Sequence, residues 1–159
     1  MPTHVRELMT STVHTVPLAS SLNEAARVLW ENDCGIVPVV DERDRVTGVV
    51  TDRDICMAAY TKNQALSAIP LEGVAARELV TCRPEDEVED VLALMETHQV
   101  RRIPVTDGER RIQGIVSLND LARAGEEGRV DGAALVTTLA TICAPRSRAG
   151  VPPVPAAAR

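Results

Sequence analysis

The chain contains an internal repeat, and this repeat restricts the possible folds more than any other feature of the sequence. Residues 15–55 align with residues 81–121 without a gap, at an offset of 66 residues. Eight of the 41 aligned pairs are identical, and the apolar positions of the two copies coincide. The identical pairs are Thr15/Thr81, Pro38/Pro104, Val39/Val105, Asp41/Asp107, Arg45/Arg111, Gly48/Gly114, Val50/Val116 and Asp54/Asp120. We therefore expect two copies of one supersecondary unit.

Each copy predicts the element order β-α-β-β-α. The first helix has apolar residues at helical spacing, and capping residues predict that it begins after Ser21 in one copy and after Asp86 in the other. Two runs rich in β-branched residues follow, separated by a polar turn, as in an antiparallel hairpin. Neither copy can bury both faces of a three-stranded sheet alone, so we expect the two to pack together. The predicted class is α/β, more narrowly α+β.

The repeat divides the chain into four predicted regions. Residues 1–66 hold the first repeat with the N-terminal segment and part of the linker, and residues 67–125 hold the second repeat. Residues 126–143 include an amphipathic C-terminal helix. Residues 144–159 contain four prolines and no apolar period, so this tail is expected to be disordered.

Composition excludes several classes of function. The chain has 17 basic and 23 acidic residues, a net charge of −6, which opposes salt-driven capture of nucleic acid. With one Trp, one Tyr and no Phe it lacks the rings of a base-stacking platform. The sequence has no apolar run of 18 residues, so it predicts no membrane span. Its first ten residues include charged ones, where a signal peptide would be apolar. We expect a cytoplasmic protein.

The cysteines and histidines predict neither a metal site nor a catalytic centre. The four cysteines form no CxxC motif, and no histidine lies at zinc-like spacing beside them. We interpret the thiols as reduced, apolar groups. Motifs of nucleophilic hydrolases, phosphate-binding loops, dinucleotide folds and zinc proteases are missing from the sequence. We therefore expect a protein that is not an enzyme and requires no cofactor.

A hydroxyl residue followed three positions later by an aspartate begins the second helix of both copies. The pairs are Thr51 with Asp54 and Ser117 with Asp120, and each follows a strand that contains a glycine. One interpretation is structural, because this spacing is that of a capping box. The other is functional: the hydroxyl and the helix amides would donate to a phosphate, and the aspartate would accept from ribose hydroxyls. The sequence leaves both open.

Prolines and arginines add to the functional interpretation. Pro38 and Pro104 interrupt apolar strands, which predicts a sheet edge with backbone groups free to contact a ligand. Arg101 and Arg102 precede the second proline, either as a phosphate clamp or as a surface pair bound to acids. The first copy has no basic residue at these positions, so a charged phosphate there would need Arg53 or the other copy.

Taken together, these stretches resemble the cystathionine β-synthase (CBS) domain, two of which form a Bateman module. The resemblance rests on VRELMT, on GIVPVVD with RRIPVTD, and on GVVTDRD with GIVSLND, and it covers residues 5–123. TDRDI, HQVRRIPV and TICAP are similar to the stand-alone, bacterial hypoxic-response type of paired CBS protein. The resemblance implies that the two repeats stack through their sheets with pseudo-two-fold symmetry, enclosing two clefts, and that two modules form a homodimer.

The resemblance also implies a ligand. Clefts of this family take AMP, ADP, ATP or S-adenosylmethionine, with the hydroxyl at the phosphate, the aspartate at the ribose, and the start of the second strand at the base. The implied nucleotide-binding residues are Thr15, Val37, Pro38, Thr51 and Asp54 in one cleft and Thr81, Arg101, Arg102, Ile103, Pro104, Ser117 and Asp120 in the other. The implied function is a non-enzymatic sensor with an unknown protein target.

The alternative is a ligand-free, homodimeric interaction protein of the stress response, whose aspartates do no more than cap helices. Trp30 would then contribute to the contact surface, although for Trp30 itself we expect a place over the core.

Overall fold

The structure, a computed structural model, describes residues 2–75 and 79–145. The first repeat contains β1 (Val16–Pro17), α1 (Leu22–Glu31), β2 (Val37–Val40), β3 (Val46–Val50) and α2 (Asp52–Lys62). The second repeat contains α3 (Val88–His98), β4 (Arg102–Thr106), β5 (Ile112–Ser117) and α4 (Leu118–Glu126), and α5 (Gly132–Cys143) follows it. Short 3-10 helices occupy Val5–Glu7, Leu66–Ala68 and Leu71–Gly73. The α+β class is confirmed, and the tail beyond residue 145 lies outside the described residues.

The second strand of the first repeat is the middle strand of its sheet, whereas in the second repeat the predicted first strand is reduced to an isolated bridge between Cys82 and Val105. In the first repeat β2 pairs in parallel with β1 and antiparallel with β3. In the second, β4 pairs with β5, and on its other side the amide of Cys82 donates to the carbonyl of Pro104 at 3.2 Å. From Val39 and Val105 on these strands are paired on both sides, so the edge expected at the two prolines does not extend along the strands. The sheet tolerates Pro38 because β1 begins to pair only at Val39, so no strand residue faces the proline nitrogen.

Two of the predicted helix caps differ from those observed. Ser21 precedes α1, but its side chain makes no capping hydrogen bond, and the first helical amide is instead bound by the carbonyl of Ile69. Helix α3 begins after Glu87, not Asp86, because the Asp86 carboxylate accepts from the amide of Arg83 at 2.8 Å and closes the preceding turn. The predicted start of α1 after Ser21 is confirmed, although the Ser21 side chain does not cap it, and the predicted start of α3 is wrong by one residue. Helices α2 and α4 begin where predicted.

Each repeat has its own apolar core, and the two repeats exchange the short 3-10 helices that precede them. Val5 is fully buried in the core of the second repeat, and Leu71 is fully buried in the core of the first. The two residues are equivalent at the offset of 66, although their segments share no identity. The predicted ranges 1–66 and 67–125 follow the order of the chain, whereas the packing crosses between them.

Contacts between the repeats are reciprocal, as a two-fold relation requires. His4 forms a β-bridge with Glu87, and the residues equivalent to them, Pro70 and Ser21, form the same bridge. Each repeat is thereby joined to the segment that precedes the other. The pseudo-two-fold arrangement implied by the repeat is confirmed.

Helix α5 gives the second repeat a cover that the first repeat lacks. It packs against α3 and α4, where the buried Thr138 hydroxyl donates to the Glu96 carboxylate at 2.5 Å. Among the described residues, α1 of the first repeat packs against the 3-10 helix Leu66–Ala68, α2, β1 and β2. Trp30, the equivalent of Glu96, is 87% exposed. The expectation that Trp30 covers the core is wrong, because no helix of the described chain lies over this face of α1.

Candidate ligand-binding sites

Strand directions bring the predicted residues of the first repeat to one end of its sheet. Strands β1 and β2 run parallel and start at the same end, with Thr15 just before β1 and Val37 opening β2. Strand β3 runs antiparallel and finishes there, because Val37 pairs with Val50, the neighbour of Thr51. We call this end of the sheet, with Thr15, Val37, Thr51 and Asp54, the first site.

The second repeat forms the same arrangement. Ile103 pairs with Val116, and Arg102 pairs with Ser117, so the start of β4 lies beside the start of α4. Thr81 immediately precedes the residue that bridges in parallel to β4. We call this end of the sheet, with Thr81, Ile103, Ser117 and Asp120, the second site.

Three hydrogen bonds join Thr51 to Asp54 in the first site. The Asp54 carboxylate oxygen Oδ2 accepts from the Thr51 amide at 2.9 Å and from the Thr51 hydroxyl at 2.7 Å. The hydroxyl in turn accepts from the Asp54 amide at 3.3 Å. Both side chains are half-buried. The capping box that the sequence offered as the structural interpretation is therefore present.

The second site repeats this geometry and leaves the same carboxylate oxygen available. Asp120 Oδ2 accepts from the Ser117 amide at 2.8 Å and from the Ser117 hydroxyl at 2.6 Å. No residue within 2–75 or 79–145 donates to Oδ1 of Asp54 or of Asp120. Capping thus fixes each carboxylate through one oxygen, and the other can accept a hydrogen bond from a hydroxyl of a bound molecule.

The remaining predicted residues divide into backbone and side-chain contributors. Val37 and Ile103 point their side chains into the two cores and are fully buried, so only their backbone groups can reach a ligand. The prolines that follow them are buried as well. Thr15 and Thr81 are half-buried at the starts of their strands. Each site therefore offers a hydroxyl, a carboxylate oxygen and strand backbone within one repeat.

The two arginines of the second repeat separate. Arg101 is exposed, whereas Arg102 is half-buried and extends toward the first repeat. A Cβ atom placed on Gly35 would lie 2.8 Å from Cζ of Arg102, so the guanidinium rests on the Gly35 backbone. No role for Gly35 was predicted, and the repeat carries no signal for this contact, because at the offset of 66 Gly35 aligns with Arg101 and not with Arg102.

The hairpin tips, at the opposite end of the sheets, join the repeats. Arg45 forms a β-bridge with Arg111, and the amide of Val46 donates to the carbonyl of Arg110 at 2.9 Å. The hydrogen bond from the Arg45 guanidinium lowers the pKa of Asp41 to about 2. Two open cavities of about 360 and 370 Å³ lie among these charged residues. They are separate from both candidate sites.

The four cysteines are free thiols with different surroundings. Burial raises the pKa of Cys82 to about 12, with the Asp86 carboxylate as a second cause. Burial also raises the pKa of Cys34, while Cys56 and Cys143 are exposed. Within the part of the chain that the structure describes, no three His, Cys, Asp or Glu side chains are grouped so that they could hold a metal ion.

The fold is that of a protein with two copies of one sheet-and-helix unit, and comparison with known sequences shows which family this is. The CBS domain family matches residues 5–60 and 71–127, so the chain belongs to the CBS domain family. It is similar in particular to Hypoxic response protein 1 of Mycobacterium tuberculosis, with 31% identity over 147 residues, which cover 92% of this chain and 99% of that protein. The resemblance to paired CBS proteins of the hypoxic-response type is confirmed.

Solved structures of CBS pairs share the fold. The CBS domain pair of protein MJ0100, in complex with 5′-methylthioadenosine and S-adenosyl-L-methionine, has a TM-score of 0.73 and 26% identity over 80% of this chain and 99% of that one. Hypoxic Response Protein I with two coordinated zinc ions has a TM-score of 0.69 and 32% identity over 76% of this chain and 98% of that one.

One relative is an enzyme that the chain matches only in part. Homoserine O-acetyltransferase of Methanohalobium evestigatum is 33% identical over 125 residues, which is 79% of this chain but 24% of that protein. The chain thus spans about a quarter of the enzyme's length. Among the described helices, none combines the length and the apolar character needed to cross a membrane.

Proposed function

We propose that the chain is a non-enzymatic regulatory module that binds an adenosyl ligand, AMP, ADP, ATP or S-adenosylmethionine, at its two sites. The observation that carries the proposal is the hydroxyl–aspartate pair at the start of α2 and of α4, each with carboxylate oxygen Oδ1 unbonded by the described residues. The same geometry occurs at equivalent positions of both repeats. The MJ0100 pair, which was solved with two adenosyl compounds, supports the choice of ligand class.

In the proposed complex each polar group has a different task. Asp54 Oδ1 accepts from a ribose hydroxyl while Oδ2 keeps its bond to the Thr51 amide. A hydroxyl has one proton, so the Thr51 hydroxyl can donate to a phosphate only by turning away from Asp54. Ribose binding therefore leaves the cap intact, whereas phosphate binding exchanges one of its hydrogen bonds. The strand backbone at Val37 faces the base.

Thermal denaturation in the presence of candidate ligands tests the proposal. A ligand at 100 times its Kd raises the free energy of unfolding by about 2.7 kcal/mol. For a chain of this length that corresponds to an increase in Tm of roughly 5–10 °C. We expect such a shift with at least one of AMP, ADP, ATP and S-adenosylmethionine. No shift with any of the four contradicts the proposal.

Variants of the two aspartates test the assignment of the sites. Asp54→Ala and Asp120→Ala should each reduce the ligand-induced shift, because each removes one ribose acceptor. Both also remove a cap worth about 1 kcal/mol, so Asp131→Ala is the matched control. Asp131 caps α5 through the Ala133 amide, away from both sites. Asp131→Ala should lower the Tm and leave the ligand-induced shift unchanged.

A second candidate function is a ligand-free interaction protein. Two observations favour it: the capping boxes are complete without a ligand, and Trp30 and Tyr60 are 87% and 80% exposed. Under this alternative every adenosyl compound gives a flat response, and the helices of the first repeat form the contact surface.

We propose homodimer formation under either function. Trp30, Met57 and Tyr60 expose apolar surface on α1 and α2, and exposed apolar patches mark interaction sites. Sedimentation of the chain should give twice the monomer mass, and Trp30→Glu should shift the equilibrium toward monomer. A monomer at all concentrations contradicts this proposal and leaves the ligand proposal unaffected.

A further inference from the structure

The side chain of Arg102 reaches from the second repeat to the first. Its backbone pairs with Ser117 in the second site. Its guanidinium lies against Gly35 of the first repeat, where a Cβ atom would be 2.8 Å from Cζ and Nη2 and 3.0 Å from Nη1. Gly35 is two residues before Val37, the strand residue of the first site. One residue therefore has its backbone beside Ser117 of the second repeat and its guanidinium against Gly35 of the first.

The charge of Arg102 is not matched by an acid in the described part of the chain. Arg27 and Arg45 both form ion pairs with carboxylates. No such ion pair and no side-chain hydrogen bond joins the Arg102 guanidinium to residues 2–75 or 79–145, although the side chain is half-buried. The guanidinium is close enough to Cys34 for its charge to oppose the rise in the pKa of that thiol, which burial dominates. A half-buried cation without a carboxylate favours a bound anion.

We infer that Arg102 supplies the anion-binding cation of the first site, so that a nucleoside phosphate is bound by Asp54 through its ribose and by Arg102 through its phosphate. The inference rests on the proposed function. It answers how the first repeat, which has no basic residue before its own proline, holds a charged ligand: the second repeat provides it. Gly35 is the positioning residue, because any side chain there displaces the guanidinium.

Binding of AMP and adenosine to single-site proteins tests the inference. Asp120→Ala disables the second site and leaves the first intact, whereas Asp54→Ala disables the first site and leaves the second intact. In the Asp120→Ala protein, adding Arg102→Ala should weaken AMP binding about tenfold or more, the usual loss of a charge-assisted hydrogen bond. Adenosine, which has no phosphate, should bind within about twofold of its former affinity. In the Asp54→Ala protein, Arg102→Ala should change AMP binding by less than about threefold.

Two further variants separate charge from position. Gly35→Ala keeps the arginine but moves its guanidinium, and it should weaken AMP at the first site without affecting adenosine. Arg43→Ala, an exposed arginine at the hairpin tips, is the charge-matched control and should change neither.

Three results would overturn the inference. If Arg102→Ala weakened AMP binding more in the Asp54→Ala protein than in the Asp120→Ala protein, Arg102 would belong to the second site. If Arg102→Ala weakened AMP and adenosine binding equally, the role of Arg102 would be structural. If Arg53→Ala weakened AMP binding at the first site and Arg102→Ala did not, the cation would be Arg53. If the unmodified chain binds neither AMP nor adenosine, the proposed function itself fails, which is a distinguishable outcome.

Discussion

The two repeats share the chemistry of their sites and differ in what surrounds them. Both begin their second helix with a hydroxyl–aspartate box of nearly identical geometry. The second repeat is covered by α5, whereas the first exposes Trp30 and Tyr60 on the corresponding helices. In addition, the guanidinium of Arg102 lies against Gly35 of the first repeat. Duplication has therefore preserved the polar groups at the end of each sheet and left the helical faces free to diverge.

The largest expected difference concerns thiol reactivity. Cys82, buried in the core of the second repeat, has its pKa raised to about 12, so almost none of it is thiolate at pH 8. The exposed Cys56 of the first repeat should react with iodoacetamide much faster, because the reagent reaches it directly, whereas Cys82 is buried and protonated. Mass spectrometry of the alkylated protein measures both rates. Comparable rates would show that the second core opens easily.

A matched pair of core variants compares the packing of α2 and α4. Leu121 is fully buried beneath the helices of the second repeat, and its equivalent Ile55 is half-buried. Leu121→Ala should lower the free energy of unfolding by about 2–5 kcal/mol. Ile55→Ala should cost about half as much, because less apolar surface is lost. Urea denaturation gives both values. Equal losses of unfolding free energy would contradict the difference in burial between Leu121 and Ile55.

Removing one hydroxyl should measure how firmly α5 is attached. Thr138→Val keeps the shape of a buried side chain but loses its hydrogen bond to Glu96. We expect a loss of about 1–2 kcal/mol, since the bond has a carboxylate acceptor. In contrast, Trp30→Gln at the equivalent position of Glu96 should change stability by less than about 0.5 kcal/mol. A larger loss of stability with Trp30→Gln in the monomer would show that Trp30 packs against its own chain.

The smallest expected difference is between the two caps. Thr51→Ala and Ser117→Ala each remove the side chain that accepts from the third helical amide. Each should cost about 1 kcal/mol, and the two losses should agree within about 0.5 kcal/mol because the distances agree. Unequal losses, measured by urea denaturation without ligand, would show that one box is strained by its surroundings.

Local patterns predicted much of this structure. The α+β class and the starts of α2 and α4 follow from apolar periodicity and from the spacing of Thr51 to Asp54 and of Ser117 to Asp120, once the alignment of the chain with itself has given the offset of 66 residues. Such signals act over a few residues, so one sequence is enough to read them. The capping box was visible for the same reason.

Contacts between distant segments were not predictable in this way. The exchange of Val5 and Leu71 between cores leaves no identity in the repeat, because any apolar residue serves there. The exposure of Trp30 depends on where α5 packs, more than 100 residues later in the chain. The contact of Arg102 with Gly35 requires the relative placement of both repeats. Pro38 indicated an edge strand because the sequence does not reveal the register of β1, which pairs with β2 only at Val39 and Val40.

Calorimetric titration of AMP and of S-adenosylmethionine into four proteins tests the ligand proposal most directly. The four are the unmodified chain, Asp54→Ala, Asp120→Ala and the double variant. For the compound that binds, the account predicts two sites per chain, one in each single variant and none in the double variant. Undiminished binding to the double variant, or no heat from either compound with the unmodified chain, would contradict it.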